Sequence, residues 1–313
     1  MPADNRGNSE SGWRFPEVPY FWFILPGLLA YSILFIWPTI RSFYLSLYDW
    51  SGRGPLGPIV WEQNFRNIVH SDKFWQAAGN SFKLFIFIFI FQNTISLGLA
   101  LLLNRGGAST HFFRVIIFLP QIMSAVATGI IWILMLDPII GAINPFLADI
   151  GLESFQRQWQ SDPAWALRTV MIVMAWQWNG MAVILYLAGL QNVPEDLRHA
   201  AMIDGAGRFR TFKDITFPML APAFTIVTVL SFILIFRAFD LIYILGGPAG
   251  VPDGATLVLG VLIYSDAFGQ GAFNSQARFS FAMAEGVTLF IFLAAISGLL
   301  IWLLGRREAA VKT

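Results

Sequence analysis

Residues 84–104 read LFIFIFIFQNTISLGLALLLN, held between Lys83 and Arg105. How this stretch is read decides the fold. Its first part, FIFIFIF at 85–91, alternates as a strand would, but both members of the alternation are apolar. A half-exposed strand needs a polar face, so the pattern carries no inside/outside code. The run then continues through TISLGLALLL without a charge. At 1.5 Å per residue, about 20 such residues form a helix that crosses about 30 Å of hydrocarbon. The stretch predicts a membrane helix.

Working outward, Asp, Glu, Lys and Arg each cost roughly 2.5–3.5 kcal/mol at mid-bilayer, so runs without them mark the other crossings. Six runs of 20 to 26 residues qualify, at 18–40, 84–104, 115–136, 169–194, 215–236 and 286–305. They predict an all-α polytopic membrane protein with six transmembrane helices, at about 18–40, 84–104, 115–136, 169–190, 217–240 and 285–305. Between them these spans make one membrane domain, 18–305, flanked by polar cytoplasmic tails 1–17 and 306–313. Shorter apolar pieces after Phe236, such as 254–265, fit an interfacial or re-entrant segment. Prolines 26, 38, 120, 218 and 222 predict kinks or ends within the spans. The first apolar run is full length and lacks a cleavage pattern, so it reads as a retained anchor.

Composition agrees. Of 313 residues, 12% are charged and 56% are AVILMFWYC, with 30 Phe and 12 Trp, too apolar a mixture for a water-facing surface. The net charge of +1 argues against a nucleic-acid groove. The absence of cysteine excludes disulfide frameworks, thiolate metal sites and cysteine nucleophiles. The three histidines, His70, His111 and His199, form no helical ligand pair, so no metal site is expected. No phosphate loop of the form GxxxxGK[ST] occurs, and no GxSxG, so the chain is not expected to be an enzyme or to hydrolyse ATP.

Six crossings place both termini on one side. With the N-terminus inside, eleven basic residues fall in short inner segments and eight in longer outer loops, and Arg306-Arg307 directly follows the last span. That density bias favours cytoplasmic termini.

The inner loop at 193–222, VPEDLRHAAMIDGAGRFRTFKDITFPMLAP, has its own code. Pro194 suits a helix start, and Glu195 and Asp196 suit its positive dipole end. Leu197, Ala200 and Ala201, with Met202 beside them, put apolar and small side chains at helical spacing, which leaves Arg198 and His199 more exposed. Asp204-Gly205 signals a turn, with Gly205 in a left-handed conformation. A second short helix runs through Phe209, Phe212, Ile215 and Thr216 and stops near Pro218. An amphipathic helix–turn–helix outside a membrane bundle is a docking element.

The spacing of this loop resembles the EAA motif in the permease subunits of bacterial binding-protein-dependent ABC importers: Glu-Ala-Ala, three residues, Gly, nine residues, Ile, one residue, Leu-Pro. Here it falls on His199-Ala200-Ala201, Gly205, Ile215 and Phe217-Pro218; His199 replaces the Glu and Phe217 the Leu. LPGLLAY and WPTI in span one, QNFRNI at 63–68, FRAFDLIYILGGP at 236–248 and IYSDAF at 263–268 are similar to the carbohydrate-uptake (MalF-like) type. The resemblance implies that residues 194–218 form a coupling helix docking on an ATPase, through Glu195, His199, Ala200, Ala201, Asp204, Gly205, Ile215 and Pro218. It also implies a second permease subunit, two ATPase subunits that bind ATP and Mg, and a substrate-binding protein. The chain itself carries no cofactor. The resemblance further implies as cargo a sugar or related polyol, such as a glycerol phosphodiester, crossing the bacterial inner membrane.

Two clusters are candidates for the path. Trp176, Trp178 and Asn179, with Gln177 between them, sit near the middle of span four. An indole face and an amide suit the C–H patches and hydroxyls of a sugar, while helix packing with interhelical amide bonds is the competing reading. Arg237, Asp240 and Tyr243 follow at helical spacing at the end of span five. They read either as a path lining or as an interfacial, snorkelling pair with a nearby ring. Glu285 reads as a solvated interface residue, and tryptophans 50, 61, 75, 159 and 165 as headgroup-level belt residues. An ion- or proton-coupled secondary carrier is the alternative, but it calls for ionisable residues in mid-span. A membrane enzyme has still less support, for want of a catalytic constellation.

Overall fold

A computed structural model describes residues 21–104, 107–269 and 277–312; the tail expected at 1–17 lies outside the described residues. The architecture is helical throughout the described residues, apart from an isolated bridge between Tyr48 and Ile59. In chain order the helices are α1 (Trp22–Leu45), α2 (Trp61–Val69), α3 (Asp72–Leu103), α4 (Ala108–Ile122), α5 (Ala125–Leu136), α6 (Ile143–Asp149) and α7 (Pro163–Gln191). They continue as α8 (Glu195–Ile203), α9 (Arg208–Met219), α10 (Ala221–Phe236), α11 (Asp240–Gly246), α12 (Leu259–Phe268) and α13 (Phe279–Lys312). α1, α3, α7 and α13 are each long and apolar enough to cross a bilayer, and the pairs α4–α5 and α9–α10 qualify as bent spans.

The FIFIFIF segment is helical. It lies inside α3, whose 32 residues extend about 48 Å, well beyond a hydrocarbon core. The helix starts at Asp72, with the Ser71 side chain accepting from the Phe74 amide, rather than at 84. Where the apolar run is interrupted by QNTIS, the helix widens into a π turn at Gln92–Ser96. These polar side chains bond across helices. Gln92 accepts from Ser231 of α10, Asn93 accepts from Tyr186 of α7, and Ser96 Oγ donates to Asn179 Oδ1 at 2.5 Å. In a lipid solvent such bonds pin helices together, because apolar contact alone gains little over contact with lipid tails.

α7 is the centre of the bundle, with Val173, Met174, Gln177 and Tyr186 among its buried residues. Gly180 lets α4 approach it: a Cβ there would meet the Phe118 ring and the Ile117 carbonyl. α1 is at the periphery and none of its apolar window is buried.

Two expectations are corrected. The single span at 115–136 is two helices, α4 and α5, meeting at 98°. Pro120 has no amide hydrogen to sustain α4, and Met123 and Ser124 turn extended, Ser124 Oγ capping α5 by accepting from the Ala127 amide at 3.1 Å. The span at 217–240 ends at Phe236, and Arg237–Phe239 separate α10 from α11. The segment at 306–312 continues α13 as helix.

The short helices α11 and α12 fold back into the bundle. α12 has ten residues, too few to cross, and its Leu259, Val261 and Leu262 are buried. α3 supplies what its end lacks: Ser81 Oγ accepts from the Leu259 amide at 3.1 Å. Asn80 Nδ2 donates to the carbonyls of Gly254, Ala255 and Leu257 at 3.1, 3.1 and 2.9 Å. Unwound backbone at membrane depth is tolerated where protein groups satisfy it in this way.

Candidate functional site

The segment 195–219 forms the anticipated helix–turn–helix. α8 starts after Pro194 and ends in a Schellman turn. The Gly205 amide donates to Met202 O at 3.1 Å, the Ala206 amide donates to Ala201 O at 2.8 Å, and Gly205 has φ +75°. α9 contains a π turn at Phe212–Thr216 just before Pro218, whose missing amide hydrogen breaks the regular ladder. The face it presents differs from the expected one. Leu197, Met202, Ile203 (86% exposed) and Phe209 (79% exposed) point outward, Ala201 is buried, and Arg198 is partly covered by pairing with Glu195 at 3.2 Å. His199, Ala200, Asp204 and Gly205 are exposed, whereas Ile215 and Pro218 are half-buried against the bundle. Exposed apolar side chains on a polar hairpin mark a contact surface.

The second feature is a cavity of about 360 Å³. It lies where two helix breaks face each other, Met123 between α4 and α5, and Arg237–Phe239 between α10 and α11, with the middle of α7 as its floor. Gln177 holds the first break. Its Nε2 donates to Met123 O and to Thr128 Oγ1, both at 3.2 Å. Its Oε1 and the Oε1 of Gln121, both lining residues, are buried without a partner. The lining amides Gln121 and Gln177, the indole of Trp178, and the charges of Arg237 and Asp240 together suit a ligand rich in hydroxyls. Among the described residues, no three His, Asp or Glu side chains converge on a common point that could hold a metal.

Of the residues singled out from the sequence, Trp178, Arg237 and Asp240 meet in this cavity. Arg237 and Asp240 do so from either side of a chain break, not from one helix face. Trp176 points away. Two positions along a helix are about 200° apart, so Trp176 and Trp178 cannot share a cavity. Trp176 is 40% exposed and packs edge-on to Trp132 at 5.5 Å. Asn179 is engaged with Ser96, as the packing reading has it. Tyr243 stands behind the cavity wall, 5.0 Å from the Phe239 ring and 5.4 Å from Tyr264. From the sequence, Gln121 is not placed in the path, and Gln177 enters only as a member of the span-four cluster. A lone amide in an apolar run is the signal for them, but it does not distinguish an amide that faces a cavity from one that serves a neighbouring helix. Glu285, expected at a solvated interface, is wholly buried.

Comparison with known proteins fits this geometry. Residues 92–309 match the family described as "Binding-protein-dependent transport system inner membrane component". The lactose transport system permease protein LacF of Rhizobium radiobacter is 32% identical over 285 residues, covering 91% of this chain and 93% of its own. The trehalose/maltose transport system permease protein MalF of Thermococcus litoralis is 29% identical, covering 96% and 97%. A crystal structure of a bacterial ABC transporter involved in the import of the acidic polysaccharide alginate matches the fold, with a TM-score of 0.77 at 22% identity over 91% of this chain and 94% of that one. The chain therefore belongs to the family of binding-protein-dependent transport system inner membrane components, and it is a transport component rather than an enzyme.

Proposed function

We propose that this chain is the transmembrane permease subunit of an ATP-driven importer that moves a sugar or related polyol delivered by a soluble binding protein. The observation that carries the reading is the cavity between the two facing helix breaks, lined by Gln121, Gln177, Trp178, Arg237 and Asp240. Sugar hydroxyls would bond to this polar lining, and the indole would stack on a C–H face of the sugar ring. The names of the lactose and trehalose/maltose relatives support the substrate class.

The hairpin 194–218 is the coupling element in this proposal. Its exposed Leu197, Met202, Ile203 and Phe209 would seat on a separate ATPase subunit, which binds ATP and Mg. With Glu195 already paired to Arg198, apolar contact and Asp204 take the place of the ion pair that a glutamate at position 199 would make. A second permease subunit and a second ATPase complete the assembly, with both termini of this chain cytoplasmic. Closing the ATPase dimer on ATP would draw the hairpins together and turn the cavity outward, and hydrolysis would return it.

Uptake of labelled lactose, maltose and trehalose in cells carrying the whole transporter tests the proposal. Gly205→Trp is expected to insert normally and lose ATPase association. Gln177→Leu is expected to keep that association and lose uptake. Intact uptake in both variants would overturn the reading.

A further inference from the structure

Glu285 lies in the second turn of α13, with 0% of its surface exposed, and neither of its carboxyl oxygens has a hydrogen-bond partner among the described residues. Asp266 of α12 lies within hydrogen-bonding reach, and Asp266 and Arg278 are the charged groups that act on it among the described residues. Arg278 is already committed. Its Nη2 is 3.3 Å from Asp266 Oδ2, its amide donates to the Asp266 carbonyl at 2.8 Å, and its guanidinium lies 3.9 Å from the Phe281 ring centre. Ser280 Oγ is likewise buried without a partner. Among the described residues the site thus holds two carboxyl groups and one cation, with no hydrogen bond donated to Glu285.

A carboxylate sealed from water with no donor is the costliest form this group could take. Ionisable groups inside a membrane bundle are rare, and their neutralising partner is the first thing to identify. One proton placed between Glu285 and Asp266 changes an acceptor–acceptor contact into an O–H···O bond. It leaves the Arg278–Asp266 ion pair as the only charged pair. Among the described residues, no group of three His, Asp or Glu side chains is placed to hold a metal ion there.

We propose that Glu285 is a proton-binding site whose hydroxyl donates to the Asp266 carboxylate and fastens α12 to α13. The fastening reaches the cavity. Tyr264, two residues before Asp266, packs with its ring tilted against that of Phe239, a lining residue, at 4.7 Å between centroids. Loss of the proton as pH rises sets two carboxylates against each other with one arginine between them, and α12 loosens together with that wall.

Infrared spectroscopy and thermal unfolding of the full chain in lipid nanodiscs test this without relying on transport. Wild type is expected to show the carbonyl stretch of a protonated carboxyl at neutral pH, and Glu285→Gln to remove it. Glu285→Gln should unfold at the wild-type temperature, because an amide N–H can also donate to Asp266, whereas Glu285→Leu should unfold lower. The wild-type unfolding temperature should fall as pH rises, and that of Glu285→Gln should fall less. The proposal is overturned by a missing protonated-carboxyl band or by a band that survives Glu285→Gln. It is equally overturned if Glu285→Gln is as unstable as Glu285→Leu, or if stability depends on sodium or potassium in place of the proton.

Discussion

The hairpin at 195–219 and the cavity lined by Gln177 are built by opposite means. In the hairpin every turn is closed by neighbours in sequence: Gly205 and Ala206 donate to Met202 and Ala201, and Arg210 lies 3.5 Å from Asp214. The cavity is held by groups far apart in the chain, with Gln177 bonding to Met123 and the Arg237–Phe239 break closing the other side. An element that must dock on another protein can be locally specified and left exposed. A binding cavity inside a bundle requires helices to break, and each broken backbone needs a partner from elsewhere.

The contrast can be broken most forcefully at Gly205. No atom would crowd a Cβ there, so the cost of Gly205→Trp lies in the left-handed backbone, about 1–2 kcal/mol, and in the bulk placed on the exposed turn. Uptake should be lost while insertion and unfolding temperature stay close to wild type, as read by membrane fractionation and a melting curve. Gln177→Leu should act the other way. It leaves Met123 O and Thr128 Oγ1 without their donor, costing about 1–3 kcal/mol, so the melting temperature falls and ATPase association survives.

Smaller effects sharpen the comparison. Trp178→Ala should raise the KM for uptake about tenfold, the equivalent of about 1.4 kcal/mol. Asn179→Ala should lower stability by about 0.5–1.5 kcal/mol through its bond to Ser96 and leave KM unchanged, and Trp176→Leu should alter neither measurably. The smallest effect concerns the turn after α5. There Ile140 and Ile139 donate their amides to Asp137, and those bonds hold its carboxyl below the usual carboxylate range. The order this gives the turn is present at neutral pH and lost as pH falls through the depressed value. Amide exchange at Ile139 and Ile140, corrected against Asp137→Ala, should show protection vanishing only in strong acid.

Particular residues show how much could be read in advance. Uncharged runs located the helices because charge is expensive in lipid wherever the helix packs. Gly205 was legible because a left-handed residue after a helix is a local requirement. Pro120 announced a disturbance in the third span, but not a 98° bend, since that depends on Gln177 reaching Met123 from 54 residues away. Arg237 and Asp240 were read as helical neighbours because helical spacing continues across a break that local signals do not mark. Trp176 and Trp178 looked alike as residue types, and the helical rotation between them was legible, but which one met the cavity depended on how α7 is turned within the bundle.

Sequence alone determined that this protein lives in lipid, where its long helices run, and that a short-range hairpin projects from them. These follow from solvation cost and local backbone geometry, which act over one or a few turns. Tertiary structure alone decided which amides line the cavity, which tryptophan meets it, and that Glu285 is sealed from water beside Asp266. Those outcomes depend on helix rotation and on which helices are neighbours, which packing sets between residues distant in the chain.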